Sequence, residues 1–288
     1  MIVAGVDGSQ AGLEAVAWAA REAVLRGMPL RLVHAIPRWV LESGEAVEGG
    51  QGGRYAGVAR WMREGADTAL AAAVDRARRE APEVEVDSAH LPGDPRTALI
   101  DAAAKADLLV VGNHGLGGFR GLLLGSVAYG VAGQAPCDVV IVRETPTPPR
   151  GEVVVGVDGS PVGAAALDFA FAEAALRRAR LRAVHAWTWF EAGGGIVPVP
   201  DDLDVEQTEV RVVKEALAGR RERYPDVEVT EEVVRGHPVE VLGEASERAD
   251  LLVVGSRGRG NLAGLVLGSV SHALLHHARC PLAVVSGR

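Results

Sequence analysis

The chain carries one glycine skeleton twice, and this repetition limits its possible folds more than any other feature. The skeleton has the spacing G-x2-G-x9-G-S. A second segment repeats with it, because VAGVDGS at Val3–Ser9 returns as VVGVDGS at Val154–Ser160. Separate segments that recur in the same order indicate one structural unit folded twice. The repeated skeleton comprises Gly112, Gly115, Gly125 and Ser126 in the first copy, and Gly255, Gly258, Gly268 and Ser269 in the second.

The offsets between the copies predict where the two units differ. Asp7 corresponds to Asp158, an offset of 151 residues, whereas Gly112 corresponds to Gly255, an offset of 143 residues. The second copy is therefore eight residues shorter between its second and third strands, a difference typical of an exposed loop. The proline-rich stretch 144–150 cannot continue a helix or a central strand and predicts a linker. We expect domains of residues 1–144 and 151–288.

Each copy alternates short apolar runs with long stretches that carry apolar residues at three- and four-residue spacing. Runs such as LLVV, which are apolar on both faces, are typical of parallel strands covered by helices on each side. The pattern predicts an α/β chain of two tandem doubly wound, Rossmann-like domains, each with a five-stranded, mainly parallel sheet flanked by helices. In the first copy the strands are expected near Ile2–Val6, Leu30–Ile36, Val84–Ala89, Leu108–Val111 and Val139–Val142, and the helices near Ala11–Arg26, Val58–Glu80, Asp94–Ala104 and Ser126–Gln134.

Charge and hydropathy exclude several classes of partner. The net charge is -8, so the chain as a whole has no basic surface for a nucleic acid. The uncharged run Gly121 to Cys137 is shorter than the ~20 apolar residues that span a bilayer, so no membrane partner is expected. The sequence MIVAGVDGS enters a strand without a basic stretch or a cleavage pattern. We therefore expect a cytoplasmic location.

The repeated motifs fall where doubly wound domains bind ligands, at the carboxyl ends of the strands. Asp7 and Asp158 end the first strands, and each glycine segment joins the fourth strand to the last helix. Gly112 and Gly115 lie in the turn, where we expect glycine to allow positive φ and a close approach of the backbone to an oxyanion. Gly125 and Ser126 begin a helix, where free N–H groups favour phosphate. These features predict a nucleotide pocket, although glycine turns and Asp-Gly-Ser helix caps also occur without a ligand.

Both copies resemble the universal stress protein family, whose ATP-binding branch has G-x2-G-x9-G-[ST] after an early strand-end aspartate. The resemblance covers essentially the whole chain, and CPLAVV at Cys280–Val285 adds to it. The first copy departs from this ending, with Asp138 after Cys137. The resemblance implies one ATP site in each domain, with ATP as the cofactor.

The resemblance assigns site residues by position. Asp7 and Asp158 would contact the adenosine end of the ligand and could help to hold Mg²⁺ through ATP. His114 and Arg257 occupy the same place in the glycine turn, where arginine neutralises phosphate and histidine does so only when protonated. Gly5 and Gly156 would lie beside the aspartates, and the backbone of Ala35 and Ala186 would contact adenine. The phosphates would contact Gly112, Gly115, Gly125, Ser126 and Val127 in the first domain, and Gly255, Gly258, Gly268, Ser269 and Val270 in the second. Gly117, Gly118 and Gly260 would add further N–H groups.

These observations favour an ATP-binding regulatory protein of the stress response, read by an unknown regulatory partner. A slow ATPase or phosphotransferase remains open, although the chain has no GxxxxGK[ST] loop. A ligand-free dimerisation module is the third alternative. His34 and His185 lie within strands, which favours hydrogen-bonded core histidines over catalytic ones. We also expect self-association between the domains, and a homodimer, through the last strands ending at Val142 and Val285.

Overall fold

The structure is a computed structural model of the chain. It describes residues 1–42, 53–115, 124–143, 145–188, 191–192, 195–196, 205–258 and 267–287. These residues form two compact units, Met1–Thr145 and Pro146–Arg288. The division therefore falls within the stretch predicted as a linker, while the limits 1–144 and 151–288 stay a prediction.

The first unit contains a five-stranded sheet with the order β5-β4-β1-β2-β3, and every neighbouring pair is parallel. Three features differ from the expectation: α2 was not predicted, α3 begins at Gly53 rather than at Val58, and the third strand begins and ends later than Val84–Ala89. The elements are β1 Ile2–Gly5, α1 Gln10–Arg26, β2 Leu30–Ile36, α2 Arg38–Glu42, α3 Gly53–Glu80, β3 Val86–Pro92, α4 Pro95–Ala103, β4 Leu108–Gly112, α5 Ser126–Gln134 and β5 Asp138–Val142.

The second unit repeats this topology with the order β12-β11-β6-β7-β10, again parallel throughout. It departs from the first unit between its second and third long strands, where the shorter sequence was expected. There a two-residue antiparallel pair, β8 and β9, and the helices α7 and α8 replace α2 and α3. The elements are β6 Glu152–Gly156, α6 Pro161–Arg177, β7 Arg180–Trp187, β8 Glu191–Ala192, β9 Gly195–Ile196, α7 Val205–Leu217, α8 Arg220–Arg223, β10 Val229–Arg235, α9 Pro238–Ser246, β11 Leu251–Gly255, α10 Ser269–His277 and β12 Leu282–Val285.

The central strands are apolar because helices cover both faces of each sheet. Leu108, Leu109 and Val110 of β4 are 0% exposed. In each unit the chain passes outward from β1 or β6 in one direction and later returns on the other side of that strand. The strand order therefore reverses beside β1 and β6, where doubly wound sheets leave a crevice. The predicted fold, two tandem α/β domains of five parallel strands, is confirmed.

The first helix of each unit ends in a left-handed residue, but the residue type differs. Gly27 follows α1 with φ 61°, and its N–H donates to the carbonyls of Ala23 and Val24. Arg178 follows α6 with φ 51° and donates to the matching carbonyls of Ala174 and Ala175. A side chain in this conformation costs roughly 1–2 kcal/mol relative to right-handed backbone, whereas glycine adopts it freely.

Replacement of Arg178 by glycine should stabilise the second unit. We expect Arg178→Gly to raise the free energy of unfolding by about 0.5 kcal/mol, because the relief of strain exceeds the added freedom of the unfolded chain. Urea unfolding monitored by circular dichroism measures this change. Gly27→Ala is the reciprocal control: no atom lies within 4 Å of an added Cβ, so its expected loss has a backbone origin. A lower stability for Arg178→Gly would contradict the account.

Candidate functional site

A carboxylate is fixed at the carboxyl end of the first strand in each unit. Asp7 follows β1, and its Oδ1 accepts from the backbone N–H of Ser9 at 3.0 Å and from the Ser9 hydroxyl at 2.6 Å. The same hydroxyl oxygen accepts from Gly12 N at 3.0 Å and so caps α1. Gly8 turns the chain between Asp7 and Ser9 with φ 83°, a conformation that favours glycine. The sequence Asp-Gly-Ser thus joins the helix cap to the carboxylate.

The second unit builds the same arrangement from the repeated sequence. Asp158 Oδ1 accepts from Ser160 N at 2.9 Å, and Ser160 Oγ accepts from Gly163 N at 2.9 Å to cap α6. Gly159 supplies the left-handed turn with φ 71°. Two copies with different neighbours converge on one geometry, so the short motif determines the position of the carboxylate.

Each carboxylate lies between two glycines that have no room for a side chain. A Cβ at Gly12 would come within 2.7 Å of Asp7 Oδ1, and one at Gly115 would meet Asp7 Oδ2. In the second unit, a Cβ at Gly258 would come within 2.6 Å of Asp158 Oδ2. The expected positive φ at Gly115 is wrong, because the described glycines with positive φ do not include it. Its requirement is space beside the carboxylate rather than an unusual backbone conformation.

Gly112 is also required by close packing, here of backbone on backbone. A Cβ on it would come within 2.7 Å of the Ala11 carbonyl carbon and 2.8 Å of the carbonyl oxygen. The end of β4 therefore lies directly against the start of α1. Positive φ was also expected at Gly112, but Gly112 is not among the described glycines with positive φ.

The turn after β4 is tied to the start of α5 by a backbone hydrogen bond. Gly125 N donates to Asn113 O at 2.7 Å, and Asn113 N donates to Val142 O at 2.9 Å. The second unit has the same pair of bonds, from Gly268 N to Ser256 O and from Ser256 N to Val285 O, both at 2.8 Å. The ends of the nine-residue interval are therefore side by side.

The helices that begin at this edge differ in how their first turns are satisfied. Ser9, Asp94, Ser160 and His237 cap α1, α4, α6 and α9 with a side-chain acceptor. By contrast, α5 and α10 begin after Gly125 and Gly268, and neither has a side-chain cap. The first N–H groups of an α-helix have no acceptor within the helix. Both units thus present uncapped donors, with the positive end of the helix dipole, at the same place.

These elements enclose a cavity in each unit, of about 420 Å³ in the first and about 340 Å³ in the second. Both volumes are in the usual range for small-molecule sites. The described residues proposed from the sequence all line the two cavities. They are Gly5, Asp7, Ala35, Gly112, Gly115, Gly125, Ser126 and Val127 in the first unit, and Gly156, Asp158, Ala186, Gly255, Arg257, Gly258, Gly268, Ser269 and Val270 in the second.

Three of the proposed residues, Gly117, Gly118 and Gly260, lie outside the described residues. The roles of the lining residues stay predictions, because lining a cavity is not contact with a ligand. Within the described ranges, no three His, Cys, Asp or Glu side chains are grouped to hold a metal ion. The Mg²⁺ expected at Asp7 and Asp158 would therefore need ligands from the nucleotide as well.

Comparison with known proteins identifies the family. A sequence profile of the Universal stress protein family matches residues 1–143 and 150–286. The chain belongs to the universal stress protein family. A universal stress protein of Mycobacterium tuberculosis is 40% identical over 98% of this chain and 95% of its own length.

Solved structures of universal stress proteins agree with the fold. One from Archaeoglobus fulgidus is 21% identical, covers 99% of this chain and 95% of its own, and superposes with a TM-score of 0.67. A universal stress protein in complex with cAMP matches 49% of this chain and 94% of its own, at 33% identity and a TM-score of 0.38.

In the part of this chain that the structure describes, no helix is both long and apolar enough to cross a membrane.

The sequence reading missed several residues that line the cavities of this universal stress protein. Gly12 and Gly163 abut the aspartates, and a signal for them existed, since both copies read Asp-Gly-Ser-x-x-Gly. Leu99 and Leu242 form part of the apolar wall. Gly5 makes room for this wall, because a Cβ there would come within 3.1 Å of Leu99 Cδ1. Neither leucine stands out in sequence from other apolar residues of a helix.

The two strand histidines line the cavities but have different neighbours. His185 is 4% exposed; its Nδ1 donates to Val157 O at 2.6 Å, and its Nε2 lies 2.7 Å from Glu209 Oε2. This agrees with the expected hydrogen-bonded core histidine. His34 is less buried, and its ring stacks edge-on to His90 with centroids 6.3 Å apart. Desolvation by burial lowers the pKa of His34, with a smaller contribution in the same direction from His90, while the Val6 backbone and the charge of Asp7 oppose the shift.

The contact between β4 and α1 yields a stability test in this universal stress protein. We expect Gly112→Ala to lower the free energy of unfolding by about 1–3 kcal/mol, because the added methyl group meets backbone atoms of Ala11 that cannot move without shifting the helix. Urea unfolding measures the loss. The matched control is Gly57→Ala in α3, where nothing lies within 4 Å of an added Cβ and a small gain is expected. Unchanged stability in Gly112→Ala would refute the close approach.

Proposed function

We propose that each domain binds one molecule of ATP and that nucleotide occupancy regulates the protein in the stress response. The observation that carries the proposal is the pair of uncapped helix starts at Gly125 and Gly268, each facing a cavity beside a fixed carboxylate. Backbone N–H groups that lack acceptors at a helix N-terminus favour an anion of several charges, as in a nucleotide phosphate.

The geometry supports a division of the ligand between two ends of the cavity. The phosphates would lie at Ser126 and Val127, where N–H groups and a hydroxyl converge, and the matching residues serve the second domain. Asp7 would accept from ribose hydroxyls, since a carboxylate only accepts hydrogen bonds when ionised. Adenine would lie toward Ala35, at the carboxyl end of β2, against apolar residues that include Leu99. Mg²⁺ would enter with the phosphates.

Binding is favoured over phosphoryl transfer by the unequal cations of the two cavities. Arg257 lines the second cavity, whereas its counterpart in the first is His114. Among the described residues, the two cavities therefore share no arginine or lysine at matched positions. Phosphoryl transfer needs positive charge placed on the transferring group, so a common catalytic role is not supported. Self-association, the homodimer, the regulatory partner and the cytoplasmic location all stay predictions.

Titration calorimetry of the full chain tests the proposal. We expect about two ATP sites per chain and weaker binding of GTP, whose 2-amino and 6-oxo groups alter the base edge. Gly115→Ala and Gly258→Ala should each remove one site, because the added methyl group displaces the carboxylate of Asp7 or Asp158. The double substitution should remove both sites, and circular dichroism should stay unchanged.

Controls separate the cavity from the rest of each fold. Gly57→Ala in the first domain and Gly243→Ala in the second add a methyl group with no atom within 4 Å, and both should bind ATP normally. Tighter binding of cAMP than of ATP in the same titrations would identify a cyclic nucleotide as the better ligand. Wild-type stoichiometry in the Gly115→Ala, Gly258→Ala double variant would place ATP elsewhere and overturn the proposal.

A further inference from the structure

At two pairs of matched positions, one domain has arginine and the other does not, and the domain that has it differs between the pairs. In the glycine turn, Arg257 of the second domain corresponds to His114 of the first, an offset of 143 residues. On the helix after the third long strand the relation is reversed, because Arg96 of α4 corresponds to Val239 of α9 at the same offset. The described part of each domain thus has one arginine at these two positions, but on different elements: α4 in the first domain and the turn after β11 in the second.

Arg96 lies in a gap in the neighbouring helix. A Cβ at Gly130 of α5 would come within 2.9 Å of Arg96 Cγ and 2.5 Å of Arg96 Cδ. Gly130 itself is buried, and the stem of Arg96 packs across it. The second domain, which has Val239 in place of arginine, has Ala273 at the position of Gly130. The domain that has arginine on this helix thus has glycine opposite it, and the domain that has valine there has alanine.

Arg96 does not itself line the cavity, but it lies next to residues that do. Pro95, directly before it, lines the cavity, and Gly130 follows the lining residue Ser126 by four positions and so shares a face of α5 with it. Its backbone N–H donates to the capping carboxylate of Asp94 at 3.1 Å. Among the described residues, its guanidinium has no hydrogen-bond acceptor and no carboxylate partner. A positioned stem with an unused guanidinium is suited to an anionic ligand, because guanidinium binds phosphate oxygens in a bidentate manner.

We propose that Arg96 contacts the nucleotide phosphates in the first domain, in the role expected of Arg257 in the second. The inference rests on the proposed function, since it assumes a nucleotide in each cavity. The first domain meets the phosphate charge from α4, and the second meets it from the turn after β11. The same kind of ligand is thus neutralised from different elements in the two halves of one chain.

Calorimetry in a Gly258→Ala background tests Arg96 at the first site alone. We expect Arg96→Met to weaken ATP binding about tenfold through loss of a charge-assisted hydrogen bond, and to leave adenosine binding unchanged. Methionine keeps an apolar stem against Gly130, so packing is retained. Arg96→Lys should recover part of the affinity. Arg78→Met removes the same charge from the last turn of α3, at the opposite end of the sheet, and should bind ATP like its parent.

Two further variants test position separately from charge. Gly130→Ala keeps Arg96 but displaces its stem, so it should weaken ATP binding and spare adenosine. In a Gly115→Ala background, which leaves the second site, Arg257→Met should weaken ATP binding while Val239→Met should not.

The outcomes distinguish this inference from the proposed function. If the unsubstituted chain does not bind ATP, both are wrong. If it binds ATP at two sites and Arg96→Met binds as tightly as its parent, the assignment of Arg96 alone is overturned. Equal losses for ATP and adenosine in Arg96→Met would also overturn it, because they would show a structural role.

Discussion

The helices that begin after Gly125 and Gly268 have no side-chain cap at the carboxyl edge of their sheets, and the other described features of the site are arranged around these donors. The first N–H groups of a helix have no acceptor within the helix, so at a helix that starts on glycine beside a cavity the acceptor comes from water or a ligand. The bond from Gly125 N to Asn113 O fixes that helix start to the turn after β4. This turn also places Gly115 directly against Asp7. One backbone connection therefore sets the distance between the donors and the carboxylate.

The duplication acts as an internal comparison, because it separates what the site requires from what it tolerates. The cap by Ser9 or Ser160, the glycine beside each carboxylate and the backbone bond at the helix start are common to both domains. Most of these contacts use backbone or glycine and leave little freedom for substitution. The features that differ are long side chains at the rim, Arg96 and Arg257. A rim cation can act from more than one direction, since the charge needs to approach the ligand but not to occupy one fixed atom position.

The sequence predicted the order of the strands and helices because buried parallel strands and amphipathic helices leave strong periodic patterns. It also predicted which residues lie together, since strand ends of a doubly wound sheet meet at one edge. It assigned the wrong reason to Gly112 and Gly115, because glycine in a turn has two explanations and only coordinates distinguish steric room from positive φ. The contact of Arg96 with Gly130 could not be predicted, since it joins two helices through a missing methyl group. Short α2 carries too few turns for a periodic signal.

The two sites of a tandem chain can differ in sequence, whereas the two sites of a dimer of identical single domains cannot. Identical subunits place the same side chains at both sites, whereas here positions 96 and 239, or 114 and 257, are encoded separately. Under the proposed function, the backbone donors common to both domains would hold the phosphates of each ligand, while the side chains at each rim would set the strength of binding. A difference of about 1.4 kcal/mol between two sites separates their half-saturation concentrations tenfold. The arginine exchange is thus a means by which one polypeptide could respond to nucleotide over a wider range of concentration than two equal sites would cover.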